Sequence, residues 1–324
     1  MASEFDLIAR HFTRPAAPGQ LGVGDDCALF TVPAGCQVAT STDLLLEGRH
    51  FFPDVDPAAL GHKSLAVNLS DLAAMGARPL GCLLGLALPR ADEAWIAPFA
   101  RGFHDLAQAW QCPLIGGDTT RSGAGGLAIS VTVFGAVNPD KVLRRDAAQP
   151  GDEVWVSGAL GAADVAYRLL DGQLPADAAR LAAARAALEW PQPRVALGLA
   201  LAGVARAAID LSDGLLQDLG HILAASRVGA ELRYADLPAA PVLDGLDEPV
   251  RRRALLGGGD VYELCFTAAP ADHARVRAAA AQAGVPVAAV GRIVAGVGLA
   301  VLDAAGRPLP ELPGGFDHFG AAQP

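Results

Sequence analysis

The chain has 324 residues, of which 52% are hydrophobic and 19% charged, and carries a net charge of −10. That length exceeds what one core usually holds, so two domains are expected, and the apolar content excludes a disordered chain. The acidic balance excludes a nucleic-acid binder, which needs a basic face; Arg251-Arg252-Arg253 reads as a solvated helix surface. Cys27, Cys36, Cys82, Cys112 and Cys265 are scattered, with no CxxC spacing. Such a set argues against a disulfide framework or a zinc site and fits buried thiols in a reducing cytosol. The opening residues lack the build of a signal peptide, and the longest apolar stretch, near Leu80–Leu88, is too short for a bilayer. A cytoplasmic protein without membrane contact is expected.

Residues 37–42 form a β-prone run that delivers Ser41, Thr42 and Asp43 at its end. Asp56 before Pro57 marks a helix start, and Gly76 and Pro79 mark its stop. Along this apolar helix Ser64, Asn68 and Asp71 make one polar stripe. Either the aspartate is paired or metal-bound there, because an isolated buried carboxylate is very costly, or the stripe is simply wet. A buried strand is predicted over 79–88, then a helix capped by Asp92 with Trp95, Phe99, Phe103 and Leu106 on one face. Leu114-Ile115 run into GGDTT, and 127–137 reads as another strand.

The polar, turn-rich stretch 143–153 marks a domain boundary, dividing the chain into 1–142 and 143–324. The second half restarts with a strand at 153–157, the turn GALG and an alanine-rich helical region. A strand ends at IDLSDG, and a helix follows with Leu215, Leu216, Leu219, Ile222 and Leu223. Further strands are predicted at 262–267 and near 287–290. The fold class is α/β of the α+β type, two domains of mixed sheets packed by helices.

Five segments share a pattern of β-prone run, small-residue turn and aspartate: GVGDDCALF, STDLLLEGRHFF, NLSDLAAMGARP, GGDTTRS and IDLSDGLLQDLGH. Glycine and serine permit tight turns, and each motif alone fits an ordinary turn or helix cap. If their strands are neighbours in a sheet, together they make an oxygen-rich cluster suited to a hard divalent cation such as magnesium. The P-loop, the protein-kinase motifs and the GxSxG elbow are all missing from the sequence.

With EFDLIARHF, GVGDDCALF, STDLL and GRHFF, AVNLSDLAAMGA, LIGGDTTR, AIDLSDGLLQDLGHI, YELCFT and FDHF in order, the chain resembles the thiamine-monophosphate kinases. These belong to the aminoimidazole-ribonucleotide-synthetase-like superfamily. The resemblance implies a homodimer whose N-terminal domains join strands, with ATP and several magnesium ions in a cleft. By motif position it implies a metal shell of Asp26, Ser41, Thr42, Asp43, Asp71, Asp118, Asp210 and Asp213, with Asp25 behind it. Nucleotide contacts fall on Gly117, Asp118, Arg145 and Ser212, and thiamine-monophosphate contacts on His50, Asp260 and Phe316. No residue is implied as a catalytic base. The alternatives are another ATP-dependent enzyme of the superfamily, or a non-catalytic nucleotide- or thiamine-binding module. Selenophosphate synthetases and hydrogenase-maturation relatives fit less well, since no cysteine precedes Cys27 and the chain closes AAQP. One departure stands out: the family's usual GGEDYEL is GGGDVYEL here, so Asp260 replaces a glutamate and Val261 an acid.

Overall fold

A computed structural model of the chain describes residues 4–16, 19–123 and 125–316. The end of the FDHF motif and the closing AAQP lie outside these residues. The chain divides into two compact units: residues up to Leu72 with Ala77–Pro139, and Ala73–Gly76 with the residues from Asp140 onward.

The first unit opens with α1 (Glu4–Leu7), which widens into a helical turn at Ile8–Phe12. Then come β1 (Gln37–Leu46), α2 (Pro57–Ala74), β2 (Arg78–Leu88), α3 (Glu93–Ala109), β3 (Leu114–Arg121) and β4 (Ala128–Val137). Asp56 starts α2 as its sequence requires: Oδ1 accepts the amides of Ala58 and Ala59 at 2.8 and 3.0 Å. Asp92 caps α3 in the same way, accepting from Ala94 N at 3.1 Å. The strands form one mixed sheet in the order β1-β4-β2-β3, antiparallel except for β2 and β3.

Pleating sends alternate side chains to opposite faces. Ile129, Val131, Val133, Leu84 and Leu86 are buried on one face. On β1, Val38, Leu44 and Leu46 remain 49%, 55% and 39% exposed. The other face of the sheet therefore ends in an apolar patch along an edge strand.

Two expectations need correction. β1 extends to Leu46, because residues 41–46 continue in register with Ala128–Val133, so Ser41, Thr42 and Asp43 lie inside a strand. Likewise GGDTTR belongs to β3, paired with Leu83–Leu88, and Asp118 is a strand residue. Of the five acidic segments, only those at 25–26 and 213 hold their aspartates in turns.

The second unit contains β5 (Glu153–Ser157), α4 (Ala162–Leu170), α5 (Ala178–Glu189), α6 (Val195–Leu201), β6 (Ala207–Asp210) and α7 (Leu215–Ser226). After these run β7 (Gly229–Arg233), α8 (Glu248–Gly257), β8 (Leu264–Ala268), α9 (His273–Ala283), β9 (Val287–Val294) and β10 (Gly298–Leu302). The six strands make a second mixed sheet, β10-β7-β9-β5-β8-β6. Trp155 on β5 and Phe266 on β8 stack at its fully buried centre. The strand expected from 262 starts at Leu264, since Asp260 and Tyr262 adopt left-handed backbone with φ of 58° and 53°. β7 and β10 are additions to the predicted set. They are short, and β10 is flanked by glycines that blur its pattern.

No helix of the described residues is long and apolar enough to cross a membrane. The cysteines are free; Cys82, Cys112 and Cys265 are buried as expected, whereas Cys27 is exposed. Replacing Asp56 with alanine removes both cap acceptors and is expected to lower stability by about 1 kcal/mol, measured by urea unfolding.

Candidate functional site

In the first unit the polar stripe of α2 docks on β1. Ser64 and Asn68 are fully buried, so the stripe is dry there, while Asp71 at its end is half-buried and paired with Ser41. Asn68 Oδ1 accepts the backbone amide of Asp43 at 3.1 Å, and its own amide donates to Ser64 O at 3.1 Å. The hydroxyl of Ser41 donates to Asp71 Oδ2 at 2.6 Å. Ser41 and Asp43 share the helix-facing side of β1 because they lie two residues apart. Burial, and then the negative charge of Asp71, push the Asp43 carboxyl up to about 7. Two carboxylates and a hydroxyl thus converge where ionising both acids is costly.

Thr42 points to the opposite face, where it accepts from Thr132 Oγ1 at 2.9 Å and donates to Val131 O. Asp118 lies on β3, the far edge strand, with β4 and β2 between it and β1. Asp26 sits in an exposed turn, its amide donating to Asp25 Oδ1 at 2.9 Å. Of the metal residues predicted in this unit, the structure therefore gathers Ser41, Asp43 and Asp71 and leaves Thr42 and Asp118 elsewhere on the sheet. Gly117, predicted to meet nucleotide, has φ 153°, and a Cβ there would lie 2.0 Å from Leu84 O, so no other residue fits. His50 accepts the Leu46 amide on Nδ1 at 3.0 Å, which places the proton of the neutral ring on Nε2.

In the second unit, Asp210 ends β6 and is 5% exposed. The next residues, Ser212, Asp213 and Gly214, form a turn tied from three directions. Asp260 N donates to Ser212 O at 2.8 Å, and Phe316 N donates to Asp213 O at 3.1 Å. The amides of Asp213 and Gly214 donate to Asp218 Oδ2 at 3.0 and 3.1 Å. Gln217 completes the arrangement, bridging Asp213 Oδ2 and Phe316 O at 3.1 and 2.8 Å. Arg145 is exposed, its carbonyl accepting from Ser226 Oγ, and its charge acts on Asp218. The predicted residues Ser212, Asp213, Asp260 and Phe316 are thus brought to one place in this unit, while the Arg145 backbone is anchored at the far end of α7.

Sequence reasoning missed Asn68 as the holder of Asp43, and missed Gln217 and Asp218 altogether. The signal for Asp218 was present: an aspartate on the apolar face of α7, between Leu215 and Leu219, needs a partner for the same reason as Asp71. Val261 lines a cavity of about 120 Å³ together with Ala162, Trp190, Gln192, Arg194 and Glu263. Glu263 is held there by Arg194, with Nε to Oε2 at 2.7 Å, and by Ser157.

Among the described residues, no three His, Cys, Asp or Glu side chains stand close enough to form a metal group. The donors that do converge are all oxygens, the set a hard cation takes when waters and phosphates complete its shell. The raised Asp43 carboxyl fits such an ion, because a nearby cation would favour the ionised form.

A pH dependence follows. Asp43 titrates above its ordinary 3.8, so between about pH 4 and 7 the folded state keeps a proton that the unfolded state has lost. Stability of the metal-free protein therefore falls as pH rises through that window. Asp43→Asn is expected to stabilise the chelator-treated protein at pH 8 by on the order of 1 kcal/mol and to flatten the slope, with Asp218 supplying the remainder. Calorimetry at pH 5 and 8 checks this; an unchanged slope in the variant would contradict it.

The sequence matches the AIR synthase related protein N-terminal domain over residues 24–137 and the C-terminal domain over 149–303. It is 42% identical to the thiamine-monophosphate kinase of Escherichia coli K12, with 98% of each chain covered. Among solved structures it resembles the thiamine-monophosphate kinase of Stenotrophomonas maltophilia K279a: TM-score 0.80, 47% identity, 86% of this chain and 90% of that one. The structure of AaThiL complexed with AMPPCP and TMP gives TM-score 0.76 at 28% identity, over 89% of each chain. The chain belongs to the AIR synthase related proteins and, within them, to the thiamine-monophosphate kinase family.

Proposed function

We propose that this enzyme transfers the γ-phosphoryl group of ATP to thiamine monophosphate, giving thiamine diphosphate and ADP, with magnesium as the required cation. The observation that carries the reading is the Ser41–Asp43–Asp71 constellation, found in a chain that matches the Escherichia coli K12 thiamine-monophosphate kinase over 98% of each chain. The complex of AaThiL with AMPPCP, an ATP analogue, and TMP supports the choice of substrates.

The transfer is in line: a phosphate oxygen of thiamine monophosphate forms the new bond to the γ-phosphorus as the bond to the ADP oxygen breaks. A phosphate monoester has its second pKa near 6, so the nucleophile is already largely ionised at neutral pH. No base is needed, and the protein's work is alignment and charge neutralisation. Magnesium, when bound, supplies positive charge to the phosphate oxygens, and Asp43, Asp71 and Ser41 would hold it. Asp26 and Asp118 in the first unit, and Asp210 and Asp213 in the second, are proposed as ligands of further magnesium ions, whereas Thr42 faces away from the Asp43–Asp71 pair.

Arg145 and Ser212 serve the nucleotide phosphates, and Gly117 lets backbone approach the nucleotide closely. The Nε2–H of His50 donates to the monophosphate. Asp260 takes the amino group of the thiamine pyrimidine, and Phe316, 39% exposed, covers the rings. The exposed apolar patch of Val38, Leu44 and Leu46 supports a homodimer through the first unit. The buried free thiols suit the cytoplasm.

Mixing the protein with ATP, magnesium and thiamine monophosphate is expected to yield ADP and thiamine diphosphate in equal amounts. ADP without thiamine diphosphate, or neither, would reject the assignment. Asp43→Asn and Asp71→Asn are each expected to lower turnover on the order of a hundredfold. Wild-type rates in both at limiting magnesium would remove them from the metal shell. Replacing Val38 and Leu44 with aspartate is expected to give a monomer by sedimentation, and an unchanged sedimentation coefficient would count against this dimer face.

A further inference from the structure

A helix start leaves backbone amides without intrahelical partners, and the usual remedy is a side-chain acceptor at the residue just before the helix. α7 cannot use it. Gly214 holds that position with φ 116° and no side-chain cap, and a Cβ there would meet the Gly257 backbone at 2.7 Å. The acceptor comes instead from inside the helix. Asp218, 2% exposed, turns back and takes the amides of Asp213 and Gly214 on one oxygen. The cap is thus made by neither Ser212 nor Asp213, although serine and aspartate are the usual capping residues.

We infer that Asp218 is a positioning residue for phosphoryl transfer, fixing the turn that aims Ser212 and Asp213 at the nucleotide without touching substrate itself. The assignment rests on the kinase reading above. The other ties to the backbone of the turn come from Asp260 and Phe316, both assigned to the second substrate, and Gln217 holds the Asp213 carboxylate while also bound to Phe316, so the Asp218 tie is the one separable from thiamine-monophosphate binding. Loss of this acceptor leaves the half-buried Asp213 amide and the buried Gly214 amide without it and lets the turn rotate, whereas an asparagine in its place still presents an oxygen.

The test compares wild type, Asp218→Ala and Asp218→Asn as full-length protein in steady-state kinetics. Asp218→Ala is expected to raise KM for ATP, and the magnesium concentration for half-maximal rate, on the order of tenfold. KM for thiamine monophosphate is expected to stay within about twofold, and Asp218→Asn to recover most of the loss. Wild-type ATP and magnesium dependence in Asp218→Ala, or an equal loss in both variants, would overturn the inference. If Asp218→Ala does not fold, amide hydrogen exchange decides. Slow exchange at Asp213 and Gly214 in wild type and Asp218→Asn supports the tie, and fast exchange in wild type refutes it. An inactive wild type with slow exchange would sink the kinase reading and leave the tie intact.

Discussion

Like charges brought together in a partly dry place are the constraint on which the first unit depends. Asp43 and Asp71 lie close enough that each raises the cost of ionising the other, and the α2 stripe leaves little water to relieve it. Burying a second polar residue beside them would ordinarily be a liability. Here both polar atoms of the Asn68 side chain have partners, the oxygen accepting from β1 and the amide donating along its own helix, so the acidic pair is held by a rigid scaffold. The energy stored in the pair is what a divalent cation would release on binding.

The second unit solves a related problem with the same device. In each unit a buried side chain on the helix after the acidic strand captures the backbone amide of an aspartate proposed as a metal ligand: Asn68 for Asp43, and Asp218 for Asp213. Fixing the backbone rather than the carboxylate leaves the carboxylate oxygens to other partners. Backbone strain appears in the same neighbourhood, where Asp260 and Tyr262 take left-handed conformations on either side of Val261. The Tyr262 hydroxyl meets Asp260 Oδ1 at 3.2 Å, so the strained segment holds its own side chain in place.

Much of this was legible in the residues. Asp56 and Asp92 announced their helices because capping chemistry is local, and the Ser64–Asn68–Asp71 stripe was visible from spacing alone. The location of Asp43 and Asp118 was not. A run such as STDLLL is neither alternating nor turn-rich, and only pairing with Ala128–Val133 reveals it as strand. Strand alternation then separates Thr42 from its two neighbours, a consequence that motif position does not express. Asp218 carried a signal in its place on the apolar face of α7, but its partner amides lie in a loop whose position the sequence does not show.

The most direct test of the coupled Asp43–Asp71 pair is proton release on metal binding. Magnesium is titrated calorimetrically into nucleotide-free protein at pH 6.5, in two buffers of different ionisation enthalpy. The account predicts that the apparent heats differ between buffers, reporting protons expelled as the cation binds, and that Asp43→Asn abolishes the difference. Binding heats that are identical in the two buffers, or a difference that survives the substitution, would contradict it.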